Sequence, residues 1–272
     1  NQYSTDYLME CMGAAYPIDE MDAMKIEGYI DYLRAKGLND VSINIHLRTI
    51  KAMMRYFLEF GKLSTMPVIK QLKVNKAEPH YITDEEFIKL EQLDSLNAFY
   101  KRVFLLYRET GMRLREPMIA TLNGNWIDIP SASKSHTARS IEIDSNLRAI
   151  FMEFKTWLDE GYGAKLKDVG GHISKKFKKG LATIGASDEK HFHSLRHTYA
   201  VRSLIKGISI YEVKLLMGHA SVTTTEVYSN MNLKRVAQDF STLVKYEKVD
   251  TDMVDTALYD KSYLTQYDKI EA

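Results

Sequence analysis

Two stretches of helix-period sequence flank one segment that fits no period, and this break commits the chain to two units. Residues 66–82, MPVIKQLKVNKAEPHYI, hold two of the five prolines and short polar runs, so they read as a linker. Before it, three amphipathic helices are predicted in TDYLMECMGAA, DEMDAMKIEGYIDYLRAKG and SINIHLRTIKAMMRYFLEFG, each ending near a glycine or a polar break. After it, Thr83 followed by Glu86 makes a capping box that starts the first helix of the second unit. The expected division is a helical domain over 1–65, the linker 66–82, a second domain over 83–244 and a tail over 245–272. With 272 residues, 45% of them hydrophobic, there is material for two cores.

The second domain reads as mainly helical with one small antiparallel sheet. Gly111 ends the predicted helix NAFYKRVFLLYRET, and NWIDIP and RSIEI are two short strands around the polar loop SASKSHTA. Asn123-Gly124 just before them is a hairpin signal. The helix HSLRHTYAVRSLIKG follows, then YEVKLLM, which Gly218 ends. A short helix carries Tyr228, with Ser221 and Thr223 as N-cap candidates, and NLKRVAQDFSTLVKY closes the domain.

Between His193 and Tyr228, four residues stand in an order that suits attack on a phosphodiester. A phenol such as Tyr228 is a weak nucleophile until its proton is removed and its target is made electrophilic. An arginine offers a planar fork of N–H donors that matches phosphate oxygens and stabilises a pentacoordinate transition state, a role open to Arg196. Histidine can donate to an oxygen or shuttle a proton near neutral pH, and His193 and His219 are available for both tasks. His193 and Arg196 lie three residues apart near the start of one predicted helix, so both can meet one anion there. Upstream, TGMRLRE supplies a second arginine, Arg113, at the start of the next helix, with Glu116 one turn later to orient it. Lys134, in the polar loop, can serve as a general acid toward a leaving oxygen.

Taken together, TGMRLRE, SKSHTAR, HSLRHTYA and LMGHASVTTTEVY resemble, in order, the motifs of the tyrosine recombinase (phage integrase) family, and the likeness extends over residues 20–243. The resemblance implies a mainly α fold: an N-terminal helical core-binding domain, then a mixed α+β catalytic domain of the kind shared with type IB topoisomerases. It also implies Arg113 and Arg196 as phosphate clamps, Lys134 as general acid, His193 and His219 as acid/base groups or phosphate donors, and Tyr228 as nucleophile. Glu116 matches the acidic residue that supports the first arginine. Two places depart from the family. ATLNGNWIDIP is more compact than the usual first-strand region, and Arg115 stands where a hydrophobic or small residue is usual. Arg115 is either a DNA-backbone contact or a solvated helix residue.

The implied partner is double-stranded DNA with paired inverted half-sites. On DNA the expected assembly is a homotetramer, and off it a monomer or dimer, with the tail beyond Lys245 docking on a neighbour. The resemblance implies no metal or other cofactor, and because a phosphotyrosyl bond keeps the energy of the bond it replaces, rejoining needs no ATP; no membrane partner is expected. Net charge is only +1, but Lys245–Ala272 carries four lysines against seven acidic residues, so the rest is more basic. Candidate DNA contacts are Arg48, Lys51 and Arg55 on the third helix, and Lys175, Lys176, Lys178 and Lys179 in a lysine-rich stretch. Either set also reads as an ordinary solvated face. No run of apolar residues approaches a membrane span, no secretory signal is seen, and the single cysteine, Cys11, excludes an internal disulfide. The expected location is the cytoplasm, at the nucleoid of a prokaryotic or viral-host cell.

The function expected is site-specific recombination through a 3′-phosphotyrosyl intermediate and a Holliday junction, for integration or excision of a phage or mobile element. Chromosome-dimer resolution by a Xer-type recombinase and type IB topoisomerase-like relaxation are the alternatives. An inactive DNA-binding descendant is a further rival, opposed by the full set of six groups. A metal reading of His191, His193 and His197, spaced H-x-H-x3-H, is weakened by the absence of a nearby cysteine and by the adjacent arginine.

Overall fold

The computed structural model describes residues 2–74, 78–131, 138–219, 221, 225–229 and 231–243. The chain divides into two compact units after residue 77.

In the first unit, α1 (Gln2–Met12), α2 (Ala23–Ala35) and α3 (Asp40–Glu59) realise the three expected helices. Asp22 caps α2 by accepting from the Lys25 N–H, and Asn39 caps α3 by accepting from Ser42, each satisfying a donor that the first turn leaves free. Ile43, Leu47, Ile50 and Met54 recur at helical spacing on α3 and share one core with Tyr29, Ile30 and Leu33 of α2.

The segment expected as a linker belongs partly to each unit. Ile69 is buried in the first core, and the Asn44 amide pairs with both backbone groups of Leu72, at 2.9 Å and 2.7 Å. A side-chain amide thus replaces the ladder that this extended strap lacks. At the other end Ile82 is buried in the second unit, and its N–H donates to Thr198 Oγ1 at 2.8 Å. The expected boundaries at 65 and 82 therefore shift inward, because apolar residues inside the proline-bearing segment find cores at both ends.

The second unit opens with α4 (Asp84–Gln92), whose capping box uses Thr83 and Glu86 as expected. Helix α5 (Ala98–Thr110) ends at Gly111, which adopts the left-handed conformation at φ 61°. After the four-residue α6 (Glu116–Ile119) come three antiparallel strands, β1 (Thr121–Asn123), β2 (Trp126–Ile129) and β3 (Arg139–Glu142), in the order β1-β2-β3. The sequence suggested two strands. Asn123 pairs with Trp126, so the hairpin turns through Gly124 and Asn125, one position later than the Asn-Gly signal was read. Three residues are too few for an alternating pattern to announce β1.

Among the described residues the α-helices that follow are α7 (Ser145–Asp159), α8 (Val169–Thr183), α9 (Ser194–Ile205), α10 (Ile210–Met217) and α11 (Leu233–Ala237). The closing helix is shorter than expected: beyond Ala237 the chain turns and buries Phe240. Leu195 of α9 joins the large core of Phe104, Phe154, Phe177 and the strand residues Ile127 and Ile141. Ala200 and Val201, further along α9, join a second core with Val213, Met217, Tyr228 and Phe240. Helix α9 is thus fixed from two sides, which gives side chains on its first turn a rigid base.

Candidate active site

Arg196, on the first turn of α9, is 1% exposed. Its Nη1 donates to Gly111 O at 2.6 Å and its Nη2 to Met217 O. Both acceptors are carbonyls at helix C-termini, where partners are lacking and the dipole favours a cation. Among the described residues its Nε is buried without a partner. Burial, followed by the charge of Arg113, lowers its pKa to about 9.

Arg113 sits in the turn between α5 and α6 rather than at a helix start. Its Nη1 donates to Glu116 Oε1 at 2.8 Å, its backbone N–H to Glu116 Oε2 at 2.7 Å, and its Nη2 to Gly218 O at 3.1 Å. Arg113 and Arg196 therefore converge on the adjacent carbonyls of Met217 and Gly218. Glu116 is buried and orients Arg113 as expected, but it is itself gripped by a residue the sequence reading had not singled out. Arg139, at the start of β3, forms a two-pronged pair with it, Nη1 to Oε1 at 3.0 Å and Nη2 to Oε2 at 2.6 Å. Burial opposes ionisation of Glu116, yet the bonds from Arg139 and Arg113 outweigh it and hold its pKa down to about 2. Arg113 and Arg139 thus share one carboxylate while Arg196 is bonded only to carbonyls, leaving the three guanidinium groups two positive charges in excess of Glu116.

The histidines are tuned by that excess. His193 stands at the N-cap position of α9 without a side-chain capping bond and is exposed; even so, the protein packed around it and then the charges of Arg196, His191 and Arg113 bring its pKa down to about 4. His219, just past Gly218, is brought to about 3 by burial and by Arg196 and Arg113, and its Nδ1 lies 2.9 Å from Thr225 Oγ1. Both are neutral at pH 7.

Tyr228 lies on a 3-10 turn, Glu226–Tyr228, and is 2% exposed. Its hydroxyl is 2.7 Å from Nδ1 of His197. Burial pushes the phenol's pKa up and the charge of Arg196 draws it partly back. His197 is held near 3 by burial, then by His193 and His191. No group of His, Cys, Asp or Glu arranged to hold a metal is present among the described residues, so the rival metal reading of His191, His193 and His197 gains no support. Lys134 and the tail 245–272 lie outside the described residues.

The low histidine values have a measurable consequence. Unfolding returns each imidazole to an ordinary pKa near ~6.5, so the unfolded chain binds more protons than the folded one over roughly pH 3–6.5, and stability falls as pH drops through that window. Imidazole NMR titration should show His193, His197 and His219 neutral down to about pH 5. Inflections near 6.5 for two of them would contradict the burial and charge described for the cluster.

The description "Phage integrase family" matches residues 81–235, more than half of the chain, and "Phage integrase SAM-like domain" matches residues 1–73. The chain belongs to the phage integrase family. Among similar proteins, the tyrosine recombinase XerC of Thermodesulfovibrio yellowstonii is 23% identical, with 81% of each chain covered. The tyrosine recombinase XerA of Pyrococcus furiosus is 27% identical over 86% of this chain and 84% of its own. The fold resembles that of a lambda integrase tetramer bound to a Holliday junction, with TM-score 0.66, 17% identity, and 92% of this chain and 73% of that one covered.

In this integrase-family chain the basic residues expected to meet DNA fall into two groups. Arg48 and Arg55 are exposed on α3, and Lys175, Lys176 and Lys179 on α8, with Lys176 over the Tyr100 ring at 5.7 Å. The others are engaged: Lys51 donates to Ile69 O at 3.3 Å, Lys178 to Asp188 O at 2.6 Å, and Arg115 pairs with Asp168 at 3.6 Å. Lys178 holds the loop that leads into His191 and His193. No helix among the described residues is long and apolar enough to cross a membrane.

Proposed function

We propose that the Arg113–Arg196 cluster binds a scissile DNA phosphate and that Tyr228 attacks it. The uncompensated positive charge around Arg196 carries this reading: a buried guanidinium with an unpartnered Nε, beside a second arginine, calls for a divalent-like oxyanion. Tyr228 would pass its phenolic proton to a neutral imidazole of the cluster, and its Oη would form a bond to phosphorus as the bond to the 5′-oxygen breaks, leaving a 3′-phosphotyrosyl link. The leaving oxygen takes a proton, from Lys134 on the family resemblance, and departs as a 5′-hydroxyl. His193 and His219, neutral in the resting site, would donate to non-bridging oxygens. The phenol's burial against His197 means that it must leave its present position to reach the phosphate. A 5′-hydroxyl from another strand reverses the step without ATP, because the phosphoester bond energy is retained.

On this reading four copies exchange strands between paired inverted half-sites through a Holliday junction, with the 245–272 tail docking on a neighbour, to integrate or excise a mobile element. The likeness to a lambda integrase tetramer on a Holliday junction supports the assembly. The Xer names of the relatives favour a second role, resolution of chromosome dimers. The domain plan proposed is a DNA-binding helical unit and a catalytic unit, acting at the cytoplasmic nucleoid. A plasmid with two candidate sites, incubated with the protein in EDTA, should recombine. Relaxation of supercoils without exchange would instead indicate a topoisomerase, and recovery of cleavage only on adding zinc would indicate metal chemistry.

A further inference from the structure

Thr225 is wholly buried, stands three residues before Tyr228 in the same turn, and has its hydroxyl 2.9 Å from His219 Nδ1. The turn is closed by the Tyr228 N–H donating to Thr225 O at 3.0 Å. We infer that Thr225 is a positioning residue that donates its hydroxyl proton to His219 Nδ1, fixes the Nε2–H tautomer, and ties that histidine to the turn bearing the nucleophile. This rests on the phosphate-binding reading above. A neutral imidazole has one donor and one acceptor nitrogen, so the partner of Nδ1 decides what Nε2 offers. The burial of the two groups decides the direction. His219 is only partly buried, so its remaining N–H can meet water or an incoming oxygen, whereas a wholly buried hydroxyl that merely accepted would still need an acceptor for its own proton. The Nε2–H so fixed is the donor a phosphate oxygen requires. Because Thr225 and Tyr228 share a turn, any movement that brings the phenol to the phosphate also moves the group that orients His219.

The test uses the full chain with 15N-labelled histidine, together with nicked suicide duplexes tiled across the DNA flanking its gene. At pH 7 the wild type should show His219 as the Nε2–H tautomer, Thr225→Val should give a tautomer mixture, and Thr225→Ser should restore the wild-type pattern. Single-turnover cleavage should fall about 10–100-fold in Thr225→Val with DNA affinity little changed, and return in Thr225→Ser, in line with an orienting partner's usual effect. An Nδ1–H tautomer in the wild type, or Thr225→Ser behaving as Thr225→Val in both measurements, overturns the inference. Failure of the wild type to form any covalent adduct overturns the phosphate-attack reading instead, and the tautomer measurement still judges the Thr225–His219 pair.

Discussion

Arg139→Met should destabilise the second unit by about 3–5 kcal/mol, the usual cost of removing one partner from a buried ion pair. The Glu116 carboxylate is 3% exposed and would lose both bonds from Arg139, keeping only those from Arg113. Arg113 would then lose its fixed support, so cleavage should fall as well. Arg139→Lys should sit between, because an ammonium cannot reproduce the two-pronged fork. The combined Arg139→Met, Glu116→Gln variant should recover part of the stability, since the stranded charge is gone, but not the activity. Urea unfolding of the four proteins checks this; a double variant no more stable than Arg139→Met would show that the cost lies in packing and not in the carboxylate.

Arg196→Lys should lower single-turnover cleavage by roughly 10²–10³-fold, comparable with deleting a donor to a developing oxyanion. The lysine keeps a positive charge but cannot bond both Gly111 O and Met217 O and still present an N–H to a phosphate, which the proposed reading asks of the guanidinium. DNA affinity should change far less, because many exposed cations share it. A cleavage rate within about threefold of wild type would mean that charge alone suffices and that the fork geometry adds nothing.

Much of this site was legible because its supports are local. The Thr83–Glu86 box, the helix stop at Gly111 and the stop at Gly218 are fixed by residues within one turn of each other, and the structure has all three. The Glu116–Arg113 contact, three residues apart, is of the same kind. Arg139 escaped notice because its partner lies 23 residues away, at the start of α6. A signal was present, however: Arg139, Ile141 and Ile143 alternate along one face, and both isoleucines are buried, so a charge on that face needed a partner. His197 meets Tyr228 from 31 residues away, and only its helical face hinted at the contact. At helical spacing it shares a side with Ala200 and Val201, whose core also encloses Tyr228. The ends of the linker segment were harder to read, since prolines mark where helices stop and do not mark where packing stops.

Strand exchange of the proposed kind requires Tyr228 to become bonded to DNA. Trapping the protein on a nicked suicide duplex, digesting it and sequencing the adducted peptide by mass spectrometry tests this most directly. The expected result is a single peptide modified at Tyr228 through a 3′-phosphate, a free 5′-hydroxyl on the released strand, and no adduct from Tyr228→Phe. An adduct on another residue, a 5′-phosphate linkage, or an adduct that persists in Tyr228→Phe would contradict it.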